Sequence, residues 1–142
     1  MTSPQVSALN PATARKRILI VEDNALNMKL FTAMISAQGY DVLQAANGSG
    51  ALDTARRDHP DLIIMDLQLP DMSGLDVTQA LKAADDTQAI PIIATTAFAQ
   101  RGDEAIIRAS GCDGYMAKPI AISEFLELIE SFIMRLPAAS PA

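Results

Sequence analysis

Two kinds of stretch alternate along the chain: short runs dense in apolar residues, and longer ones in which apolar residues recur every three or four positions. The short runs are bounded by turn formers, and they predict strands buried on both faces, as in a parallel sheet. They cover residues 17–22 (RILIVE), 40–45, 61–66 (DLIIMD), 90–95, entered through Pro91, and 115–118. The longer stretches predict helices. The first places Leu26, Leu30, Phe31, Met34 and Ile35 on one inward face, capped by Asp23 or Asn24 and ended by Gly39. Asn47-Gly48 turns into a short second helix with Ala51, Leu52 and Ala55 inward, and Ser73 caps a third with Leu75, Val77, Ala80 and Leu81. A fourth runs from about Gln100 to Ser110-Gly111. The last, from Ala121 to about Leu136, turns Phe125, Leu126, Ile129, Phe132 and Ile133 inward.

Five strand–helix units in succession predict an α/β fold, a doubly wound parallel sheet with right-handed crossovers and helices on both faces. The domain is expected over residues 16–136. Residues 1–15 and 137–142, rich in Pro, Ala, Ser and Thr, are expected to be a disordered N-terminal tail and a flexible C-terminal one.

Composition narrows the classes. Hydrophobic residues make up 49% of the 142, enough for a packed core, and the net charge of −6 disfavours electrostatic binding of nucleic acid. Arg15-Lys16-Arg17 reads as a solvated strand entrance. The single cysteine, Cys112, lies in an apolar setting that predicts packing, and His59 falls at the N-terminal edge of the sheet as a solvated loop residue. No run approaches the ~18 apolar residues of a membrane span, and no signal peptide is legible, so no membrane insertion and a cytoplasmic location are expected.

The chemistry gathers at the C-terminal ends of the strands, where ligands bind in open α/β sheets. Those ends carry Glu22, Asp23, Asp66, Thr95, Thr96 and Lys118. Three carboxylates together repel one another unless a cation joins them, and an oxygen-rich site suits Mg²⁺. Lys118, between Ala117 and Pro119, is placed to pair with Asp66. Alternation sends Thr95 and Thr96 to opposite faces, so one of them faces the site. A carboxylate, a metal, an ammonium, a hydroxyl and the Ala97 backbone N–H form a phosphoryl-binding set, with Asp66 as a nucleophile able to form an aspartyl phosphate. No GxxxxGK[ST] loop is present, so another molecule must bring the phosphoryl donor.

These pieces together resemble the receiver domain of two-component response regulators. They are VEDN at 21–24, MDLQLPDMSG at 65–74, Thr96-Ala97, and Tyr115 followed by Lys118-Pro119. The longer stretches 21–31 and 96–120 look most like the single-domain cell-division regulators of that family. The resemblance implies a flavodoxin-like (CheY-like) sheet with strand order 2-1-3-4-5. It implies phosphorylation of Asp66 by a partner histidine kinase, with Mg²⁺ (or Mn²⁺) held by Glu22, Asp23, Asp66 and the Gln68 backbone carbonyl. Thr96, the Ala97 N–H and Lys118 would bind the phosphoryl group, and Thr96 and Tyr115 would form the switch. The chain departs from the family's frequent aspartate pair at Glu22, whose extra methylene could alter metal affinity. Phe98, two residues after Thr96, is expected to shield the acyl phosphate from water.

With about six residues after the last helix, no output domain is expected, and no DNA-binding element is legible. Output would be protein–protein contact on the face of helix four, strand five and helix five, around Gln100, Arg101, Arg108, Tyr115 and Ile122. The chain would catalyse only its own aspartyl phosphorylation and dephosphorylation. One alternative is a phosphotransfer intermediate, passing the group to a histidine phosphotransferase. Another is an aspartate-nucleophile phosphatase, disfavoured because Gln68 stands where a second aspartate would serve as general acid.

Overall fold

The computed structural model describes residues 15–97 and 101–135, with the backbone alone at 101–103. Strands and helices alternate: β1 (Arg17–Val21), α1 (Ala25–Ala37), β2 (Asp41–Ala45), α2 (Gly48–Asp58), β3 (Leu62–Asp66), α3 (Gly74–Ala83), β4 (Ile92–Thr96), α4 (Arg101–Ala109), β5 (Gly114–Ala117) and α5 (Ile122–Arg135). The sheet is parallel throughout, in the order β2-β1-β3-β4-β5, as expected. The two expected tails fall almost wholly outside the described residues.

Every residue of β3 and β4 is buried, which is why these runs carry no polar alternation. Strand alternation divides the core in two. Ile18, Ile20, Leu62, Ile64 and Ile93 pack under α1 and α5, against Phe31, Ile35, Phe125 and Ile129. Leu19, Val21, Ile63, Met65, Ile92 and Ala94 pack under α2, α3 and α4, against Ala51, Ala55, Val77, Leu81 and Ile107. Buried Cys112 belongs to the second core, beside the Ser110 and Thr78 hydroxyls. Burial pushes its thiol pKa up, which suits packing rather than reactivity.

The helix starts follow local capping chemistry. Asn24, not Asp23, caps α1 by accepting from the Asn27 N–H, Asn47 caps α2, and Ser73 caps α3. Gly39 and Gly111 adopt positive φ just past α1 and α4. His59 ends α2 in the left-handed region, with its ring exposed and 3.9 Å from Asp86, at the sheet edge away from the strand C-termini.

The structure corrects expectations at β4, at α1, and at α5, where Leu128 rather than Leu126 packs against the core. β4 begins and ends later than its apolar run suggested. The Ile90 N–H turns back to the Thr87 carbonyl, so Ile90 belongs to the approach and Thr96 to the strand. In α1, Leu26 (64% exposed) and Leu30 (52%) do not face the core. At 100° per residue they stand about 140° from Phe31 and Ile35 respectively, too far for one sheet-facing stripe to hold both pairs. Met28 and Met34 flank the buried pair instead.

That difference is measurable. We predict that Ile35→Ala destabilises by about 3 kcal/mol in chemical denaturation and that Leu30→Ala stays within about 0.5 kcal/mol of wild type. Equal losses would mean that Leu30 is part of the core.

Candidate functional site

Parallel pairing brings the carboxyl ends of β1, β3, β4 and β5 to one edge. β3 lies between β1 and β4, with Asp66 opposite Thr95 and Val21 opposite Met65. Glu22 follows β1 directly, its N–H bonded to the Ala45 carbonyl, and Lys118 follows β5, its N–H bonded to the Thr96 carbonyl at 2.7 Å. The sequence-predicted residues therefore meet because each closes or follows a strand.

Carboxylate oxygens of Glu22, Asp23 and Asp66 all lie within 4.8 Å of one another. Glu22 and Asp66 are each only 2% exposed, while Asp23 is open to solvent. Lys118 Nζ lies 3.2 Å from Glu22 Oε1 and 3.3 Å from Asp66 Oδ2, so one ammonium serves two buried acids. Burial raises the Glu22 pKa, the Asp66 charge raises it further, and Lys118 lowers it only in part. Raised in this way, the carboxylate counts against the fold as pH climbs above its ordinary range, because the folded state then holds the proton longer.

Asp66 Oδ1 accepts from the Gln68 N–H at 3.0 Å, which folds the next loop over the strand end. Gly74 permits that fold. A Cβ there would stand 2.4 Å from the Asp66 carbonyl oxygen, and the Gly74 N–H bonds to the Leu67 carbonyl. Thr96 is buried at the end of β4 and Ala97 is exposed beside it. Thr95 shares the Asp66 face by alternation and is buried, with a hydroxyl that finds no hydrogen-bond partner among the described residues.

Tyr115, on the α4 side of β5, is half-buried, and its hydroxyl donates to Glu104 Oε1 at 3.1 Å. Arg108 stands 5.8 Å from the ring centroid and pairs with Glu104. The bond to Glu104 raises the phenol pKa. Ile122 is exposed, whereas Gln100 and Phe98 lie outside the described residues, as does the Arg101 side chain. Sequence reasoning missed two polar partners. One is Glu104, and the other is Asp71, whose carboxylate accepts from the Gly48 and Ser49 N–H groups at 2.7 and 3.0 Å. An exposed acid in a loop carries no local sign of a partner more than 20 residues away.

Residues 18–130 match the profile of the response regulator receiver domain. The chain belongs to that family. Among its relatives is the Brucella anthropi polar-differentiation response regulator DivK, 53% identical over 118 residues, covering 83% of this chain and 96% of the relative. The solved receiver domain of a Pseudomonas aeruginosa sensor histidine kinase, with magnesium coordinated in its active-site cleft, superposes with TM-score 0.79. It is 36% identical and covers 85% of this chain and 99% of that one. Vibrio cholerae chemotaxis protein CheY4 also matches at TM-score 0.79, with 25% identity over 84% of this chain and 99% of that one. The fold is thus that of CheY-like receiver domains, and the acidic cluster lies at the C-terminal edge of the receiver's sheet.

Crowding of like charge has a measurable cost. With EDTA present, we predict that Asp23→Asn raises the melting midpoint of this receiver, by the equivalent of about 1 kcal/mol, because one repulsive charge is removed. A lower midpoint would contradict the repulsion derived from the geometry.

Proposed function

We propose that this receiver accepts a phosphoryl group on Asp66 from the phosphohistidine of a partner histidine kinase and changes its protein contacts in response. The observation that carries this reading is the paired state of Asp66, a buried carboxylate held by Lys118 beside two further acids. Family membership supports it.

The acid set fits a divalent cation. Its donors are oxygens from three carboxylates, two of them buried and sharing one ammonium, so negative charge is left over for a hard ion to balance. Glu22, Asp23 and Asp66, with the Gln68 carbonyl, would hold Mg²⁺ or Mn²⁺. When bound, the ion neutralises charge on the phosphoryl oxygens as they approach the carboxylates. The magnesium in the Pseudomonas receiver is that protein's own, and it supports the assignment by similarity.

An Asp66 carboxylate oxygen attacks phosphorus, an O–P bond forms and the P–N bond of the donor breaks. The histidine leaves with the bond's electron pair and is neutral after taking up a proton. Asp66 Oδ1 is held by the Gln68 N–H, and Lys118 at Oδ2 is placed to follow the charge onto the phosphoryl oxygens. Thr96, which alternation puts on the face of β4 opposite Asp66, turns toward the phosphoryl group to supply one remaining donor, and the Ala97 N–H supplies another. The Gln68 amide is far too weak an acid to protonate a leaving group, which leaves phosphomonoester hydrolysis without its general acid. The chain would thus act catalytically only on its own aspartate.

The readout is assigned to the face of α4, β5 and α5. Thr96 moves toward the new phosphoryl group, Tyr115 follows, and its bond to Glu104 breaks. Arg108 and the exposed Ile106 and Ile122 then meet a protein partner in a new arrangement. Similarity to a polar-differentiation regulator supports a place in cell-division signalling.

The test is intact mass after incubation with acetyl phosphate and Mg²⁺. Wild type should gain about one phosphoryl group (~80 Da), and Asp66→Asn or added EDTA should abolish the gain. A gain that survives Asp66→Asn would move the acceptor elsewhere, and no gain in wild type would end the phosphorylation reading.

A further inference from the structure

The loop between β3 and α3 carries the Gln68 carbonyl, and its two ends are well fixed. The Gln68 N–H holds Asp66 Oδ1, Gln68 bridges to Ser73, and the Gly74 N–H bonds to the Leu67 carbonyl. Its middle is open to solvent at Pro70 and Asp71. There Asp71 accepts from the first two N–H groups of α2, Gly48 at 2.7 Å and Ser49 at 3.0 Å. Those N–H groups have no partner within their own helix, and a carboxylate is favoured at a helix N-terminus. The two bonds hold the Asp71 pKa below the ordinary carboxylate range, with the Gly48 bond the larger cause. Beside it, Met72 fills the space that a side chain at residue 48 would need: a Gly48 Cβ would stand 2.3 Å from Met72 Cγ.

We infer that Asp71 is a positioning residue, which ties the β3–α3 loop to α2 and so sets how tightly a divalent cation binds at the strand ends. The inference rests on the metal-binding reading of Glu22, Asp23, Asp66 and Gln68. Asp71 lies outside that carboxylate cluster and acts through the backbone between Asp71 and Gln68. Without it, among the described residues the half-buried Leu69 and Met72 side chains hold the middle of the loop, and the Gln68 carbonyl, still tethered through its N–H, is aimed less tightly. Groups that orient a metal ligand commonly change affinity by 10–100-fold, and an effect transmitted along a loop belongs at the lower end.

The experiment is calorimetric titration of MgCl₂ into wild type, Asp71→Ala, Asp71→Asn and Asp23→Asn, paired with acetyl phosphate labelling at low and saturating Mg²⁺. Asp71→Ala should raise the Mg²⁺ Kd about tenfold. Asp71→Asn, which keeps one acceptor oxygen, should fall between it and wild type. At saturating Mg²⁺ the labelling rate of both should return to within about twofold of wild type, a recovery that a merely structural defect would not show. Melting in EDTA checks folding, and if Asp71→Ala is unfolded the Asn variant decides. Wild-type affinity in a folded Asp71 variant, with Asp23→Asn binding weakly, would overturn the inference and leave the metal site standing. No Mg²⁺ binding by wild type would overturn both.

Discussion

A single lysine reaching across the sheet is the constraint on which the site depends. Lys118 leaves the end of β5, passes β4, and meets Asp66 on β3 and Glu22 beyond β1. Taking two carboxylates out of water is costly, and one ammonium offsets only part of that cost. Asp23 adds a third negative charge at the rim. The site is therefore short of positive charge before any ligand arrives. The Thr95 hydroxyl, buried on the same face, finds no hydrogen-bond partner among the described residues. Such a site gains from a cation and from a phosphoryl group that gives the lysine new oxygens to bind.

The remainder of the fold supplies position. A parallel sheet puts all its strand C-termini on one edge, so residues from four strands converge although Glu22 and Lys118 are 96 positions apart in sequence. The apolar residues of β3 and β4 bury these two adjacent strands between two cores. On that base the loop after Asp66 is folded back tightly, which the contact at Gly74 permits only because no Cβ is present. At the far side of the site, Tyr115 rests against Glu104 and Arg108 on α4. A change at Thr96, next to β5, is one strand away from that contact.

Much of this was legible in the sequence, for physical reasons. A strand buried on both faces must be apolar throughout, so LIIM announced β3, and a carboxylate directly after it had to lie at the sheet edge. The pairing of Asp66 with Lys118 followed from charge and from the strand ends that carry them. The helix faces were less legible. Periodicity fixes the angle between residues but not which angle meets the sheet, and the apolar arc of α1 is wider than the face it buries, so Leu26 and Leu30 were misplaced. Polar contacts between exposed side chains and distant elements, such as Asp71 with α2 and Glu104 with Tyr115, leave no trace in local pattern. The Thr95–Thr96 pair lies between these cases. Alternation separated the two hydroxyls, and the structure adds that the one on the Asp66 face is unpartnered among the described residues.

The strand edge, short of positive charge, is set to bind a cation and then a phosphoryl group, with the second event reaching Tyr115. Amide NMR spectra of the ¹⁵N-labelled protein, titrated with Mg²⁺ and then with beryllofluoride as an acyl-phosphate mimic, test it most directly. Mg²⁺ is expected to shift the amides of Glu22, Asp23, Asp66 and Gln68, and beryllofluoride to extend the shifts to Thr96, Ala97, Lys118 and Tyr115. Beryllofluoride shifts absent from Tyr115, or unchanged when Mg²⁺ is withheld, would contradict it.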